Sequence, residues 1–297
     1  MATKINKLKF DGIDFICKVL DDRTQNPYSH MDFYSRIQYD LLSCYYAYIE
    51  KEGNPELIKN LNFRNYVNND LDVKPRENTL RNLYEVKDDI YITPIINELR
   101  NKHNLLFCPF CGEEDRPSTL DHFLPKKKFP EYSVCLDNLV PMCTKCQGPD
   151  AKGQKVLSPN NSRLFIHPYF EDVENFLELT IVEPYDSPSF VLDFKKNDDK
   201  FIDELIVNHV VTLNIYNRFL DFAVSKHIHL LKLAKANRKT KKSFISKIEN
   251  FLEDAEIKSK NTWSAIYYRS VLSNQSLLAY LDVEDLPDIY KNKKPLH

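Results

Sequence analysis

Two pairs of cysteines in the middle of the chain have the spacing of a zinc site. Cys108 and Cys111 lie in the segment CPFCG, and Cys143 and Cys146 lie in CTKC. A CxxC segment forms a tight turn that presents two thiolates to one tetrahedral ion, and two such turns complete a four-sulfur site. In a reducing compartment, paired CxxC motifs bind metal more often than they form disulfides. The spacing therefore predicts a structural zinc ion, with a reduced cluster of four thiols as the alternative.

An acid and a histidine stand side by side between the cysteine pairs, at Asp121 and His122. Hydrolysis of a phosphodiester needs a base that takes a proton from water and a cation beside the phosphate. Adjacent residues of a flat strand point to opposite faces. Asp121 and His122 therefore cannot both reach one phosphate from a flat strand. We expect a twisted strand end, where Asp121 holds a metal ion while His122 contacts the water. The alternative is a solvated loop that follows a strand.

Lysines are frequent around this dipeptide. The six nearest candidates for phosphate contact are Lys126, Lys127, Lys128, Lys145, Lys152 and Lys155. A lysine run is usually a solvated loop, but beside a motif suited to phosphodiester chemistry it predicts phosphate contact. A second basic run, residues 232–242, has two interpretations: it contacts nucleic acid, or it is a solvated surface. The net charge of the chain is only −2, so any nucleic-acid binding must depend on local patches.

His167, in the segment LFIHPYF, has two interpretations. It is either a histidine packed on aromatic side chains at a strand end, or a ligand or substrate contact. The other histidines have no motif around them.

Helices are predicted on both sides of this central region. Phe33, Ile37, Leu41, Tyr45 and Tyr48 follow helical spacing in the first hundred residues, with a glycine soon after that suits a helix end. The segment NPELIKNL predicts a further helix, because proline is favoured at a first helical position. Beyond residue 170, FLELTIVEP and SFVLDF predict a β-hairpin, and helices are expected over residues 201–236, 243–257 and 263–281.

Composition bounds the class of protein. The chain has 297 residues, of which 42% are hydrophobic, so it is expected to be globular. We find no apolar run of the roughly 18 residues that span a bilayer, and MATKINKLKFDG lacks the apolar core of a signal peptide. A soluble cytoplasmic protein with no membrane partner is expected. Cys17, Cys44 and Cys135 are expected to behave as small buried apolar residues.

The chain resembles the HNH endonuclease family, in the version whose ββα-metal core is held together by two CxxC pairs. The resemblance lies in the segments CPFCG, LDHFLPK, DNLVPMCTKC and KG. The resemblance covers residues 108–153. It implies a small ββα-metal core with a single catalytic divalent ion. Together with the helical patterns and the hairpin described above, this predicts an α+β protein, mainly α. The three expected regions are an N-terminal helical region (1–103), a zinc-stapled nuclease core (104–170) and a β-hairpin followed by a C-terminal helical region (171–297).

The same resemblance implies roles for individual residues. His122 looks like the general base, Asp121 like a ligand of the catalytic Mg²⁺ or Mn²⁺, and Asn138 like the asparagine that pins the loop and orients the base. The family commonly reads CNxxKG after the last cysteine, whereas this chain reads CQGPDAKG. The candidates for the second metal ligand are therefore Gln147, then His167, then Asp150.

The resemblance also implies partners. Nucleic acid is the expected substrate, with DNA ahead of RNA and tRNA. The C-terminal part is similar to HNH components of Septu-type and retron-linked anti-phage systems, which pair with an ABC-type ATPase. The alternative, raised by the departure from CNxxKG, is a catalytically inactive zinc-stapled module that binds nucleic acid or protein.

Overall fold

The computed structural model describes residues 2–7, 9–25, 30–173, 175–195, 199–238, 243–282 and 286. The helices of these residues are α1 (Gly12–Gln25), α2 (Met31–Glu50), α3 (Val73–Leu83), α4 (Ile92–Asn101), α5 (Thr144–Gln147), α6 (Lys200–Thr212), α7 (Ile215–Asn237), α8 (Phe244–Lys258), α9 (Trp263–Ser273) and α10 (Gln275–Asp282). The strands are β1 (Thr119–His122), β2 (Leu139–Met142), β3 (Leu177–Val182) and β4 (Ser189–Phe194). Helices predominate, and the strands form two antiparallel pairs, β1–β2 and β3–β4. The predicted α+β class is confirmed.

Helix α2 presents its predicted apolar stripe to the core. Its stripe residues Phe33, Ile37, Leu41, Tyr45 and Tyr48 are all buried. The chain then turns at a glycine with a positive φ of 69°, whose N–H donates to the carbonyl oxygen of Tyr48 at 2.9 Å. Glycine adopts this left-handed conformation without strain, which explains why the helix ends where the sequence places the glycine.

The helix predicted for NPELIKNL is wrong. The chain makes one turn there, in which Leu57 and Ile58 donate their N–H groups to the carbonyl of Asn54. It then leaves the helical path, because Ile58 is buried and the N–H of Leu61 donates to Glu131 Oε1 at 3.1 Å. Tertiary contacts with the central region override the local signal for helix.

The C-terminal part contains the predicted hairpin, in which Leu177 pairs with Phe194 and Val182 with Ser189. Two of the predicted helices are each interrupted by an asparagine. Asn214 takes a positive φ of 49° between α6 and α7, a conformation that asparagine tolerates. Asn274 separates α9 from α10, and its Oδ1 accepts from the N–H of Leu277 at 2.9 Å. Residues 239–242 of the second basic run lie outside the described residues.

The buried apolar side chains form one cluster that runs through all three regions of the chain. The N-terminal segment contributes to it directly, since the N–H of Thr3 donates to Pro109 O at 2.9 Å and that of Ile5 to Pro168 O at 2.8 Å. The central region is therefore enclosed by helices from both ends of the chain. Among the described helices, none combines the length and the apolar character that crossing a membrane requires.

Candidate functional site

Strands β1 and β2 bring the cysteine pairs and the acid–histidine dipeptide together. The strands are antiparallel, with Thr119 opposite Met142 and His122 opposite Leu139. The chain leaves β2 directly into Cys143 and the single turn of α5. Two strands and a short helix, in this order, thus carry the motif residues at neighbouring positions.

The four paired cysteines form a compact, buried cluster. Their Sγ atoms all lie within 4.8 Å of one another, and those of Cys111 and Cys143 are 3.9 Å apart. Four sulfurs about 2.3 Å from a tetrahedral zinc lie about 3.8 Å from each other, so the cluster has the dimensions of such a site. All four cysteines are free thiols. The cluster can therefore hold a structural zinc ion, in agreement with the sequence prediction.

A guanidinium group faces the cysteine cluster. Within the cluster, hydrogen bonds from the three other cysteines lower the pKa of Cys143 well below its usual range, whereas burial raises the pKa of Cys108 and hydrogen bonds from the other cysteines raise that of Cys146. Arg218, on α7, donates to Cys146 Sγ at 3.5 Å and to Cys111 Sγ at 3.4 Å, and it pairs with Glu113. A zinc ion with four thiolates carries a net charge of −2, so a guanidinium that faces two of the sulfurs stabilises the metal-bound form.

We expect Arg218→Met to weaken zinc binding by about ten- to a hundred-fold, the usual effect of removing a group that hydrogen-bonds to metal ligands. Competition with a chromogenic zinc chelator measures the change. Arg269→Met is the matched control, because Arg269 pairs with Glu256 on the neighbouring helix and does not contact the sulfurs. Equal zinc affinity in the two variants would contradict the role given to Arg218.

Helices from the C-terminal region hold the first cysteine turn in place. Trp263, the first residue of α9, donates its Nε1–H to Cys111 O at 2.5 Å. His209, on α6, contacts Phe110 O through Nε2 at 2.7 Å and accepts from the N–H of Ile166 through Nδ1 at 3.1 Å. The turn that supplies two sulfurs is thus fixed by side chains that lie about a hundred residues or more away in the sequence.

His122, at the end of β1, is held in one tautomer. Its Nε2 lies 2.8 Å from the carbonyl oxygen of Ser133, and its ring packs edge-on against Tyr84 with centroids 4.5 Å apart. A carbonyl oxygen can only accept, so Nε2 carries the proton and Nδ1 bears the free lone pair in the neutral ring. Among the described residues, Nδ1 has no hydrogen-bond partner. Burial lowers the pKa of His122 to about 4, so the ring is neutral at pH 7.

Asp121 lies between an amide and an ammonium group. Its Oδ1 accepts from Gln147 Nε2 at 3.1 Å, and its Oδ2 lies 2.8 Å from Lys152 Nζ. Lys152 also donates to the carbonyl oxygen of His122 at 2.7 Å, and only 1% of its side chain is exposed. Lys152 was predicted to contact nucleic acid, but the structure encloses its ammonium group beneath the Asp121–His122 dipeptide.

Asn138 pins the loop that follows β1. Its Oδ1 accepts from the N–H of Leu124 at 2.7 Å and from Tyr48 Oη at 3.0 Å. Its Nδ2 donates to the carbonyl oxygens of Leu124 at 3.0 Å and Tyr132 at 3.1 Å. The side chain is fully buried, so both ends of the amide serve the backbone. The next residue after Tyr132 is Ser133, whose carbonyl orients His122.

His167 lies in the core behind this loop. Its Nδ1 accepts from the N–H of Tyr169 at 3.2 Å, so Nε2 carries the proton and donates to Tyr48 Oη at 3.0 Å. Its ring contacts Phe123 at a centroid distance of 4.0 Å. Both nitrogens are thus engaged with protein groups, as in the aromatic-packing interpretation of its sequence. The structure does not bring His167 to Asp121; it makes His167 a support for Tyr48 and, through it, for Asn138.

Asp121 and His122 both line a cleft of about 690 Å³. The other lining residues are Tyr84, Leu120, Pro125, Lys126, Gln147, Pro149, Gly153, Gln154 and Lys155. Asp150, the third candidate for a metal ligand, is exposed and is not among them. The cleft therefore unites the predicted acid, base and glutamine, and it leaves His167 and Asp150 outside.

Of the other predicted lysines, Lys126 and Lys155 line the cleft, and Lys127, Lys128 and Lys145 do not. Lys126 pairs with Glu85 and lies over the ring of Tyr84, 4.7 Å from its centroid. Lys155 donates to two backbone carbonyls of its own loop. Lys127 and Lys128 are exposed on the turn after Lys126. Lys145 pairs with Glu113 beside the cysteine cluster.

Several residues of the site were not found from the sequence. Tyr84 covers His122 and Arg218 faces the sulfurs, but each comes from a helical segment far from the motif. Ser133, which fixes the tautomer of His122, acts through its backbone carbonyl, and a backbone contact leaves no residue-type signal in a sequence.

Part of the chain is similar to a phage protein. The chain is 28% identical over 189 residues to protein Ea31 of Escherichia phage lambda. The aligned part covers 62% of this chain and 58% of the phage protein, so the chain spans little more than half of that relative. No family model and no solved structure matches the chain.

Proposed function

We propose that the protein is a metal-dependent HNH endonuclease that hydrolyses phosphodiester bonds of nucleic acid in the Asp121–His122 cleft. The observation that carries the proposal is the state of His122. The Ser133 carbonyl forces its proton onto Nε2, and the free Nδ1 belongs to a residue that lines the same cleft as Asp121. A histidine so arranged can take a proton from water, which is the role of a general base.

The residues beside His122 suit a hard divalent cation. Asp121 offers a carboxylate and Gln147 an amide oxygen, once the Gln147 side chain turns its oxygen inward; both are donor types that Mg²⁺ and Mn²⁺ accept. Mg²⁺ is commonly bound by one or two carboxylates, with water and phosphate oxygens at the other positions. An ion held there would supply positive charge at the scissile phosphate and at the departing 3′ oxygen.

The other residues of the site position the base. Asn138 holds the loop between β1 and β2 at both Leu124 and Tyr132, so the Ser133 carbonyl stays against His122. Tyr84 packs edge-on against the imidazole. A ring held by both contacts keeps one orientation, so no reorientation is needed when substrate binds.

The pH dependence follows from the pKa of His122. A base works in its unprotonated form, so kcat/KM falls about tenfold for each pH unit below the pKa of the free enzyme's base. Because burial lowers that pKa to about 4, we expect kcat/KM to stay level between pH 7.5 and 5.5. Initial rates on a fluorescent oligonucleotide at low substrate concentration measure this. A tenfold fall between pH 6.5 and 5.5 would contradict the neutral, buried base.

Lys127 and Lys128 are the best candidates for phosphate contact, because they are exposed and no described residue pairs with their ammonium groups. We expect Lys127→Ala/Lys128→Ala to weaken nucleic-acid binding. Each lost phosphate contact should lower the slope of log K against log salt by about 0.7–0.9, so the double variant should lose about 1.5. Fluorescence anisotropy in several salt concentrations gives the slope.

The matched control for this pair is Lys18→Ala/Lys102→Ala. Those two lysines are also exposed, but each pairs with an acid four residues earlier in the sequence. If both double variants lose the same affinity, the effect comes from net charge alone, and the turn after Lys126 is merely solvated.

The second candidate function is a zinc-stapled binding module without catalysis. The contacts of Asp121 with both Gln147 and Lys152 favour it, because the carboxylate already has two partners within the chain. Cleavage separates the candidates: a binding module retains nucleic acid or protein affinity but leaves every nucleic acid intact with Mg²⁺ or Mn²⁺.

The proposed setting is a bacterial anti-phage locus in which an ABC-type ATPase holds the nuclease in check. This part of the proposal rests on the sequence resemblance of the C-terminal region alone. Co-expression of the two proteins and measurement of cleavage with and without ATP would test it.

A further inference from the structure

Lys152 is a buried lysine that forms an ion pair with Asp121 of the cleft. Its ammonium group contacts Asp121 Oδ2 at 2.8 Å and donates to His122 O at 2.7 Å. Its backbone N–H donates to Cys146 O at 3.0 Å, which fixes the chain at the edge of the cysteine cluster. Burying a charge is costly unless it is paired, so Lys152 has to keep Asp121 as its counter-ion. It cannot reach a phosphate without giving up both contacts.

The charges around the cleft make it a poor site for a free cation. Among the described residues that line it, Asp121 is the acid, while Lys126 and Lys155 are cationic. Lys152 lies directly against that one carboxylate and neutralises it. Asp121 Oδ2 is buried against Lys152, and Oδ1 accepts from Gln147 Nε2. Lys126 is paired with Glu85, so the unpaired cationic group among the described lining residues is Lys155. A divalent ion that enters alone therefore meets one carboxylate that it must share with Lys152 and a nearby ammonium group, whereas a phosphodiester meets a more favourable field.

We propose that Lys152 is a permanent counter-ion of Asp121 that keeps the divalent-metal affinity of the free protein low, so that the ion binds stably only together with a nucleic-acid phosphate in the cleft. This inference rests on the proposed nuclease function and adds a regulatory feature to it. The phosphate supplies the negative charge and the further oxygen ligands that Asp121 and Gln147 lack. Lys152 is a positioning residue here, since it acts through Asp121 and not on the substrate.

The test measures Mn²⁺ binding to the zinc-loaded protein without nucleic acid. Binding is detected as the loss of the electron paramagnetic resonance signal of the free ion. Removing a positive charge in contact with the carboxylate should tighten binding at least about tenfold, so Lys152→Met is expected to bind Mn²⁺ where the wild type binds it weakly. Lys155→Met removes the same charge from the same cleft without touching Asp121, and it should change the affinity far less. Asp121→Asn in the Lys152→Met background should remove the gain.

A second measurement keeps the inference testable if Lys152→Met fails to fold, as judged by zinc content and circular dichroism. Here His122→Ala binds uncut DNA or RNA oligonucleotides, and Mn²⁺ is titrated with and without them. The Asp121→Asn/His122→Ala protein corrects for ions bound by the nucleic acid itself. We expect nucleic acid to tighten the Asp121-dependent binding at least tenfold.

Two results would overturn the inference: unchanged Mn²⁺ affinity in folded Lys152→Met, or Asp121-dependent binding that is equally tight with and without nucleic acid. Failure of the proposed function has a different signature, namely a wild type that cuts nothing. In that event, tighter Mn²⁺ binding by Lys152→Met would still show that Lys152 is the counter-ion of Asp121. The two failures can therefore be told apart.

Discussion

His122→Ala is expected to lose about a hundred- to ten-thousand-fold in cleavage rate, the usual contribution of a general base, while zinc content stays unchanged. The imidazole is the one group in the cleft with a lone pair suited to take a proton from water at neutral pH, among the residues that the structure describes. The cysteine cluster does not contact it, so the loss should be confined to catalysis. Single-turnover rates with saturating protein measure it without interference from product release.

Two companion variants separate chemistry from structure. His122→Gln keeps an N–H that can donate to Ser133 O, but its amide is not a base, so it should be as inactive as His122→Ala. His229→Ala removes an exposed histidine of α7 that lies outside the cleft, and it should cut as the wild type does. Substantial activity in His122→Gln would show that His122 serves only to hold the loop.

Cys143→Ser is expected to lose the zinc ion and to unfold the central region. Structural zinc binding contributes about 10–16 kcal/mol in small zinc-dependent domains, and that binding free energy is folding free energy. Cys143 directly follows β2, whose pairing with β1 places Asp121 and His122. Loss of the ion should therefore abolish both nuclease activity and the cooperative melting of the region. His122→Ala, in contrast, should lose activity but keep the cooperative melting.

Metal analysis and thermal melting by circular dichroism measure this effect. The wild type should carry about one zinc per chain, and Cys17→Ser, a change in a cysteine outside the cluster, should keep it. A folded Cys143→Ser protein with an unaltered melting temperature would contradict the structural role of the metal. A wild type that is folded without zinc would leave the four cysteines as a reduced thiol cluster.

The cysteine cluster could be predicted because its information is local. Each CxxC turn is short, and residue type and spacing alone determine what it presents. The same holds for Asp121 and His122, whose strand ends at the loop that the sequence suggested. The buried apolar face of α2 could also be predicted, because helical spacing decides which side chains face the core.

Long-range contacts explain what the sequence could not predict. Lys152 was assigned to phosphate because its type and neighbours suggested it; only the folded chain encloses its ammonium group against Asp121. His167 was a candidate ligand, and its true neighbours, Tyr48 and Phe123, come from separate segments. The helix expected at NPELIKNL gives way to contact with Glu131 for the same reason.

The most direct measurement is cleavage of DNA and RNA oligonucleotides by the zinc-loaded protein with added Mn²⁺, with the product ends identified by mass spectrometry. Attack by a water molecule activated at His122, with departure of the 3′ oxygen, leaves a 5′ phosphate and a 3′ hydroxyl. We predict these ends for the wild type, no products without the divalent ion, and no products from His122→Ala on the same time scale. Nucleic acid left intact by the wild type, or cut equally fast by His122→Ala, would contradict the assignment of this cleft as a nuclease site.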